Sequence, residues 1–204
     1  MWAALKSPLL LGNDIRKIDA ATLSIINNPA IIAISQDPRG KAIQRVTLNT
    51  TVAKDEHGIG EAHVWSGPLA NGDQVVILLN AANEDLDMAA SLEEIFVMDG
   101  PGGSAPQVQQ TWAVHDLWAN RMSEAEAETI LASGKATGAY NAVEVPYAQG
   151  LEEEDSRLFG EKVGEVKPRG QLQARVPRHA AQVFRLRSAD GKDKARKSLV
   201  REEL

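Results

Sequence analysis

The sequence predicts a mainly β chain, an antiparallel Greek-key β-sandwich preceded by a short α/β segment. Three observations carry this. From residue 41 onward, short stretches of alternating apolar and polar residues are punctuated by turn residues, the pattern of strands with one buried face. Residues 75–79, Val-Val-Ile-Leu-Leu, are apolar on both faces, as a central strand covered on both sides would be. Residues 1–40 have a different texture, with helical segments around a single short apolar run, so a boundary falls near Lys41.

Residues 2–6 have the composition of a helix's last turns, and Ser7-Pro8 ends them, because proline disfavours helix in the residue before it. Leu9, Leu10 and Leu11, closed by Gly12, read as a strand buried on both faces in a parallel sheet. Gly12-Asn13-Asp14 turns the chain, Asp19 caps a helix over residues 20–26, and Asn28-Pro29 breaks it before a second helix from Ala30. A single strand-loop-helix unit cannot bury its own strand, since parallel strands need neighbours and helices over both faces. The segment therefore reads as the end of a larger α/β domain.

Val46 and Leu48 alternate with polar neighbours, Ala62 and Val64 alternate with His63 and Trp65, and Asn71-Gly72-Asp73 supplies a tight turn before 75–79. Residues 86–97 have moderate strand character, and 99–106, rich in glycine and proline, form a loop. Residues 109–117 predict a strand with Trp112 and Val114 on one face and Thr111, Ala113 and His115 on the other. Ser123 with Glu126 forms a capping-box signature for a helix over 123–131, ended by Gly134 and Gly138. Val143, Val145 and Tyr147 share one face of a further strand, and 149–167 reads as a charged loop. Leu172, Ala174 and Val176, then Phe184 and Leu186, mark two closing strands, and 189–204 is a charged tail.

Residues 2–9, Gly12-Asn13-Asp14, 28–33 and 36–40 resemble the end of the catalytic barrel in α-galactosidases of glycoside hydrolase family 27. Residues 75–80, Asp116-Leu117-Trp118 and 176–187 resemble that family's C-terminal β-sandwich, so the likeness spans roughly 2–188. The resemblance implies three parts: the last strand and helices of a (β/α)8 barrel over 1–41, a complete antiparallel sandwich over 42–188, and the tail over 189–204. It also implies that Met1 is an internal residue of a longer, secreted or lysosomal parent. That parent would hydrolyse terminal α-galactosyl residues with retention and without a cofactor. The structural partner of this chain would be the rest of the barrel, and the ligand of the parent a galactoside.

Retaining hydrolysis requires two carboxyl groups about 5 to 5.5 Å apart in one pocket, one as nucleophile and one as acid/base. In the resembled family both are aspartates on earlier barrel strands, and those motifs do not occur here, so no residue of this chain is assigned as catalytic or substrate-binding. Asp14 follows the barrel-strand position, but Asn13 and Asp14 are expected to fix a turn, as is Asp37 before Pro38. Trp118 beside Asp116 invites a sugar-stacking role, yet a sandwich-core position is the expected one. His57, His63, His115 and His179 lack metal-ligand spacing, and there is no cysteine to join them, so no metal is expected. The acids at 152–155 are stacked in a row without the glycine turn of a calcium loop and are expected to be solvated. Gly100 to Gly103 lacks the lysine and following helix of a phosphate loop.

Asn49-Thr50-Thr51 is a glycosylation sequon, which makes Asn49 the one candidate modification site. The 204 residues are 43% hydrophobic, enough for a core, and the formal net charge of −6 is spread along the chain. Neither nucleic acid nor an anionic membrane is an expected partner. No signal peptide and no run of roughly 20 apolar residues is present, so this chain as written would stay in the cytosol. The rival reading is a non-catalytic sandwich module that binds carbohydrate or a partner domain.

Overall fold

A computed structural model describes residues 1–134 and 139–189. Among them, strands β1 (Gln44–Asn49), β2 (Ala62–Pro68), β3 (Gln74–Asn80), β5 (Trp112–Asp116), β6 (Glu161–Val166) and β8 (Ala180–Ser188) form one antiparallel sheet in the order β1-β2-β3-β8-β5-β6. Strands β4 (Leu86–Ser91) and β7 (Gln171–Val176) pair as a second sheet. The fold is therefore the mainly antiparallel sandwich that the alternation predicts.

Period two sorts the side chains. Val64, Val76, Leu78, Val114, Phe184 and Leu186 of the large sheet pack against Met88, Ala90, Leu172 and Val176 of the small one. Two strands cannot cover six, and the gap is closed by a short helix, α3 (Leu92–Ile95), followed by Phe96. The Phe96 ring stacks on Trp112 with centroids 5.0 Å apart, and the Trp112 indole N–H donates to Gln107 O at 2.9 Å.

The other face of the large sheet carries the N-terminal 3₁₀ turn and the second of two N-terminal helices, which is why β3 is apolar on both sides. Helix α1 (Ala20–Ile26) is capped by Asp19, and α2 (Pro29–Gln36) by Asn28, whose Oδ1 accepts from Ala30 N and Ile31 N. Asn28 Nδ2 also donates to Leu117 O at 3.0 Å, so the buried cap fastens α2 to the sheet. Ala30 and Ile34 then pack with Ala4, Val75, Ile77 and Val183. A 3₁₀ turn (Trp2–Leu5) ends at Lys6 in the left-handed region. From there the Lys6 ammonium reaches the last carbonyls of α2, Ile34 O and, at 3.4 Å, Asp37 O.

Four expectations differ from the structure. Residues 9–11 form no strand: no strand lies beside them among the described residues, and Leu10 and Leu11 are 74% and 55% exposed. Residues 86–97 split into β4 and α3 because Ser91 and Glu94 make a capping box, the Ser91 hydroxyl accepting from Glu94 N while the Glu94 carboxylate accepts from Ser91 N. Residues 143–147 are not a strand. Asn141 Oδ1 accepts from Val143 N to make a turn, Val143 is 93% exposed, and Pro146 opens helix α5 (Tyr147–Glu152).

Finally, the charged loop expected over 149–167 contains α5 and the edge strand β6, whose Lys162 and Glu165 face solvent as protected edges do. The capping box at Ser123 and Glu126 forms as expected and starts α4 (Glu124–Ser133), with Gly134 as its left-handed end. Gly138 and all of the tail but Ala189 lie outside the described residues.

Candidate functional site

The most unusual chemistry sits on the helix-facing side of the large sheet. In β8, Val183 and Arg185 share the face that packs on the N-terminal helices, so the strand's alternation carries Arg185 into that interior, directly opposite Val75. Its side chain is 1% exposed, and its Nε donates to Asp73 Oδ2 at 2.7 Å, Asp73 being itself buried in the turn before β3. Arg187, two residues on, lies 3.4 Å from the same oxygen and donates through Nη2 to Glu154 Oε1 at 2.9 Å. Both guanidiniums sit 4.3 Å from the Phe159 ring centroid.

Lys6 and Asp37 bring charge to the cluster from the N-terminal segment. The Asp37 carboxylate accepts from Ala70 N at 2.9 Å and from Arg39 N at 3.1 Å, tying the end of α2 to the turn that carries Asp73. Burial pushes the Asp73 carboxyl up, against the pull of Arg185 and Arg187. Burial also lowers Lys6, against the attraction of Asp37. The cluster thus joins the N-terminal segment, the β2–β3 turn, β8 and the loop after α5 in one network. Three cations (Lys6, Arg185, Arg187) meet three acids (Asp37, Asp73, Glu154), with direct side-chain hydrogen bonds from Arg185 to Asp73 and from Arg187 to Glu154, which suits the cluster to holding layers together.

Asp14, Asp37, Asp116, Glu153, Glu154 and Asp155 are committed to local structure. Asp14 is exposed, caps a 3₁₀ turn and holds Arg16 through both oxygens, which keeps its carboxyl below the usual range. Asp37 is a junction residue, as expected. Asp116 Oδ1 accepts from Trp118 N at 2.9 Å, and the Trp118 indole donates to Ala181 O while its ring packs on the helix-side core. At 152–155, Glu153 accepts from Gln149, Glu154 pairs with Arg187, and Asp155 grips Arg157 at 2.6 Å.

His57 lies beside Glu56, His63 beside Glu61, and His179 turns the chain between β7 and β8 in the left-handed region. Among the described residues no three His, Asp or Glu side chains converge as a metal site. Gly100 to Gly103 form a turn with a short 3₁₀ segment.

A cleft of about 210 Å³ opens beside α4, lined by Asn27, Asn120, Arg121, Glu126, Tyr140 and Arg157. Most of its polar groups are spent internally. Asn120 Nδ2 donates to Ser156 O and Arg157 O, Glu126 belongs to the capping box, and the Tyr140 ring lies between the Arg157 guanidinium at 5.1 Å and the Tyr147 ring at 4.9 Å. Burial pushes the Tyr147 phenol up to about 12.

Asn49 ends β1 and is exposed, with its Oδ1 accepting from Thr51 N at 2.9 Å and from the Thr51 hydroxyl at 2.7 Å. The second open surface is the segment around residues 9–15, where Ile15 (68% exposed) joins the leucines without cover.

Residues 59–148 match the family model described as the α-galactosidase C-terminal β-sandwich domain. An α-galactosidase of Zygotorulaspora mrakii is 43% identical over 189 residues, covering 92% of this chain and 40% of the relative. α-Galactosidase 5 of Saccharomyces cerevisiae is 44% identical over the same shares of the two chains. Among solved structures, that of the Saccharomyces cerevisiae α-galactosidase with raffinose superposes with a TM-score of 0.86 at 44% identity, covering 92% of this chain and 42% of that one. The chain thus spans about 40% of the length of the curated relatives it matches.

Proposed function

This chain is a homologue of the C-terminal part of the α-galactosidases of glycoside hydrolase family 27, and from that premise we propose that it is the sandwich-bearing portion of an enzyme that removes terminal α-galactosyl residues with retention. One observation carries the assignment to an enzyme rather than to a free-standing module. The 3₁₀ turn over Trp2–Leu5 and helix α2 are built against the sandwich, with Ala4, Ala30 and Ile34 buried on the outer face of the large sheet, yet the segment at 9–15 between them leaves four large apolar side chains uncovered. A module that binds carbohydrate by itself has no use for such a surface, whereas the last strand of a (β/α)8 barrel needs the rest of the barrel against it.

On this reading residues 1–41 belong to the barrel, 42–188 to the sandwich and 189–204 to a tail, and the barrel portion is the structural partner. The two catalytic aspartates lie on that portion and not on this chain. Purified chain is accordingly expected to give no turnover of a chromogenic α-galactoside above buffer. Measurable turnover by the chain alone would contradict the assignment.

The parent acts outside the cell, and Asn49 carries glycan there. Its exposure leaves room for the sugar, and the Thr51 hydroxyl donates to the Asn49 amide oxygen, which holds the sequon in one compact turn. Expression through a eukaryotic secretory pathway is expected to give a product that loses mass on enzymatic deglycosylation, and Asn49→Gln is expected to remove that shift. An unchanged shift in the variant would place the glycan elsewhere.

A further inference from the structure

His115 occupies an unusual position in the large sheet. Strand register sets it directly opposite Arg185 of β8 on one side and Lys162 of β6 on the other. Like charges directly opposite one another on a sheet face are destabilising. The ring is half-buried, and its Nδ1 lies 3.3 Å from Gly160 O, a carbonyl of the loop that also carries Phe159. Neutral imidazole satisfies that carbonyl with an Nδ1–H and adds no charge; imidazolium places a third cation in the row.

The acids in reach are already engaged. Asp73 is shared by Arg185 and Arg187, Glu154 pairs with Arg187, Glu165 takes both Lys162 and Lys167, and Asp37 accepts backbone N–H groups beside Lys6. Asp73 attracts the imidazolium, but its carboxylate is already shared by the two arginines.

We propose that His115 is the titrating element of a pH-sensitive clasp, formed with Arg185, Arg187, Asp73 and Phe159, that holds the 154–160 loop and the N-terminal segment to the sheet and loosens when the imidazole is protonated. The direction follows from linkage. Burial, more than the nearby cations, lowers the folded-state value of His115 from its ordinary 6.5. The unfolded chain then binds the proton first, so stability is full above about pH 6.5 and falls as the pH drops through that range. Asp73 acts in the opposite sense. Its folded-state value is raised, so its protonation on acidification favours the folded state, within the carboxylate range above 3.8. Comparing variants at His115 separates the two.

The test is thermal unfolding of the full chain between about pH 7.5 and pH 5, together with limited proteolysis. Wild type is expected to lose about 2–4 °C of Tm on acidification across that range, and to gain a cleavage site within 140–160. His115→Gln and His115→Asn, which keep an N–H donor for Gly160 O without the charge, are expected to abolish most of that fall and the new cleavage. The proposal is overturned if either folded variant shows the same fall as wild type. It is also overturned if proton NMR shows His115 titrating at or above the ordinary 6.5.

Discussion

Arg185→Leu is expected to cost about 3–5 kcal/mol of stability, because it leaves the buried Asp73 carboxylate without its hydrogen-bonded partner in a low-dielectric interior. Burial already pushes Asp73 up, so the stranded group can take a proton instead of remaining charged, which keeps the loss from growing further. Phe159 also loses one of the two guanidiniums stacked on it. The double variant Arg185→Leu with Asp73→Leu removes both charges and is expected to recover much of the loss, since replacing a buried ion pair by apolar residues is often near neutral. Urea denaturation of the two variants measures the difference. Equal losses in the single and double variants would show that packing around Arg185, and not its charge, is what matters there.

The second large effect concerns the surface around residues 9–15. Leu10→Lys is expected to leave the stability of the isolated chain within about 0.5 kcal/mol of wild type, since Leu10 is 74% exposed and substitutions at such positions cost little. In complex with a barrel portion the same change is expected to be severe. Burying a leucine contributes about 1.5–3 kcal/mol, and the charged replacement forfeits that and must also be desolvated. Co-purification of the barrel portion of a relative with tagged chain reads this directly. The expected result is capture by wild type and loss of capture by the variant, at unchanged Tm. Equal capture by both would mean that 9–15 is not the contact.

Much of this architecture is legible in the residues. The double-sided apolar run at 75–79 identifies the strand covered on both faces, the caps at Asp19 and Ser123 set two helix starts, and Asn28-Pro29 marks the break between α1 and α2. The segments that escaped are those where local chemistry competes with alternation. Ser91 and Glu94 carry the same signature as Ser123 and Glu126, yet a strand-like lead-in masks it. Val143 and Val145 alternate without being strand, because an asparagine turn and a proline fix the backbone first.

Strand β6 is polar on its surface because it is an edge, so its pattern is that of a loop. The ion cluster left one signal, Arg185 at the inward-facing position of an otherwise apolar strand face, but the partners that make it stable are 112 residues away for Asp73 and on other elements for Phe159 and Glu154. No periodicity reports a contact of that range.

The measurement that bears most directly on the whole account is α-galactosidase turnover of this chain mixed with a separately expressed barrel portion of a relative. The expected result is no turnover from either polypeptide alone, turnover from the mixture, and none when the chain carries Leu10→Lys. Turnover by the chain alone, or a soluble, stable mixture in which the two polypeptides never associate, would contradict it.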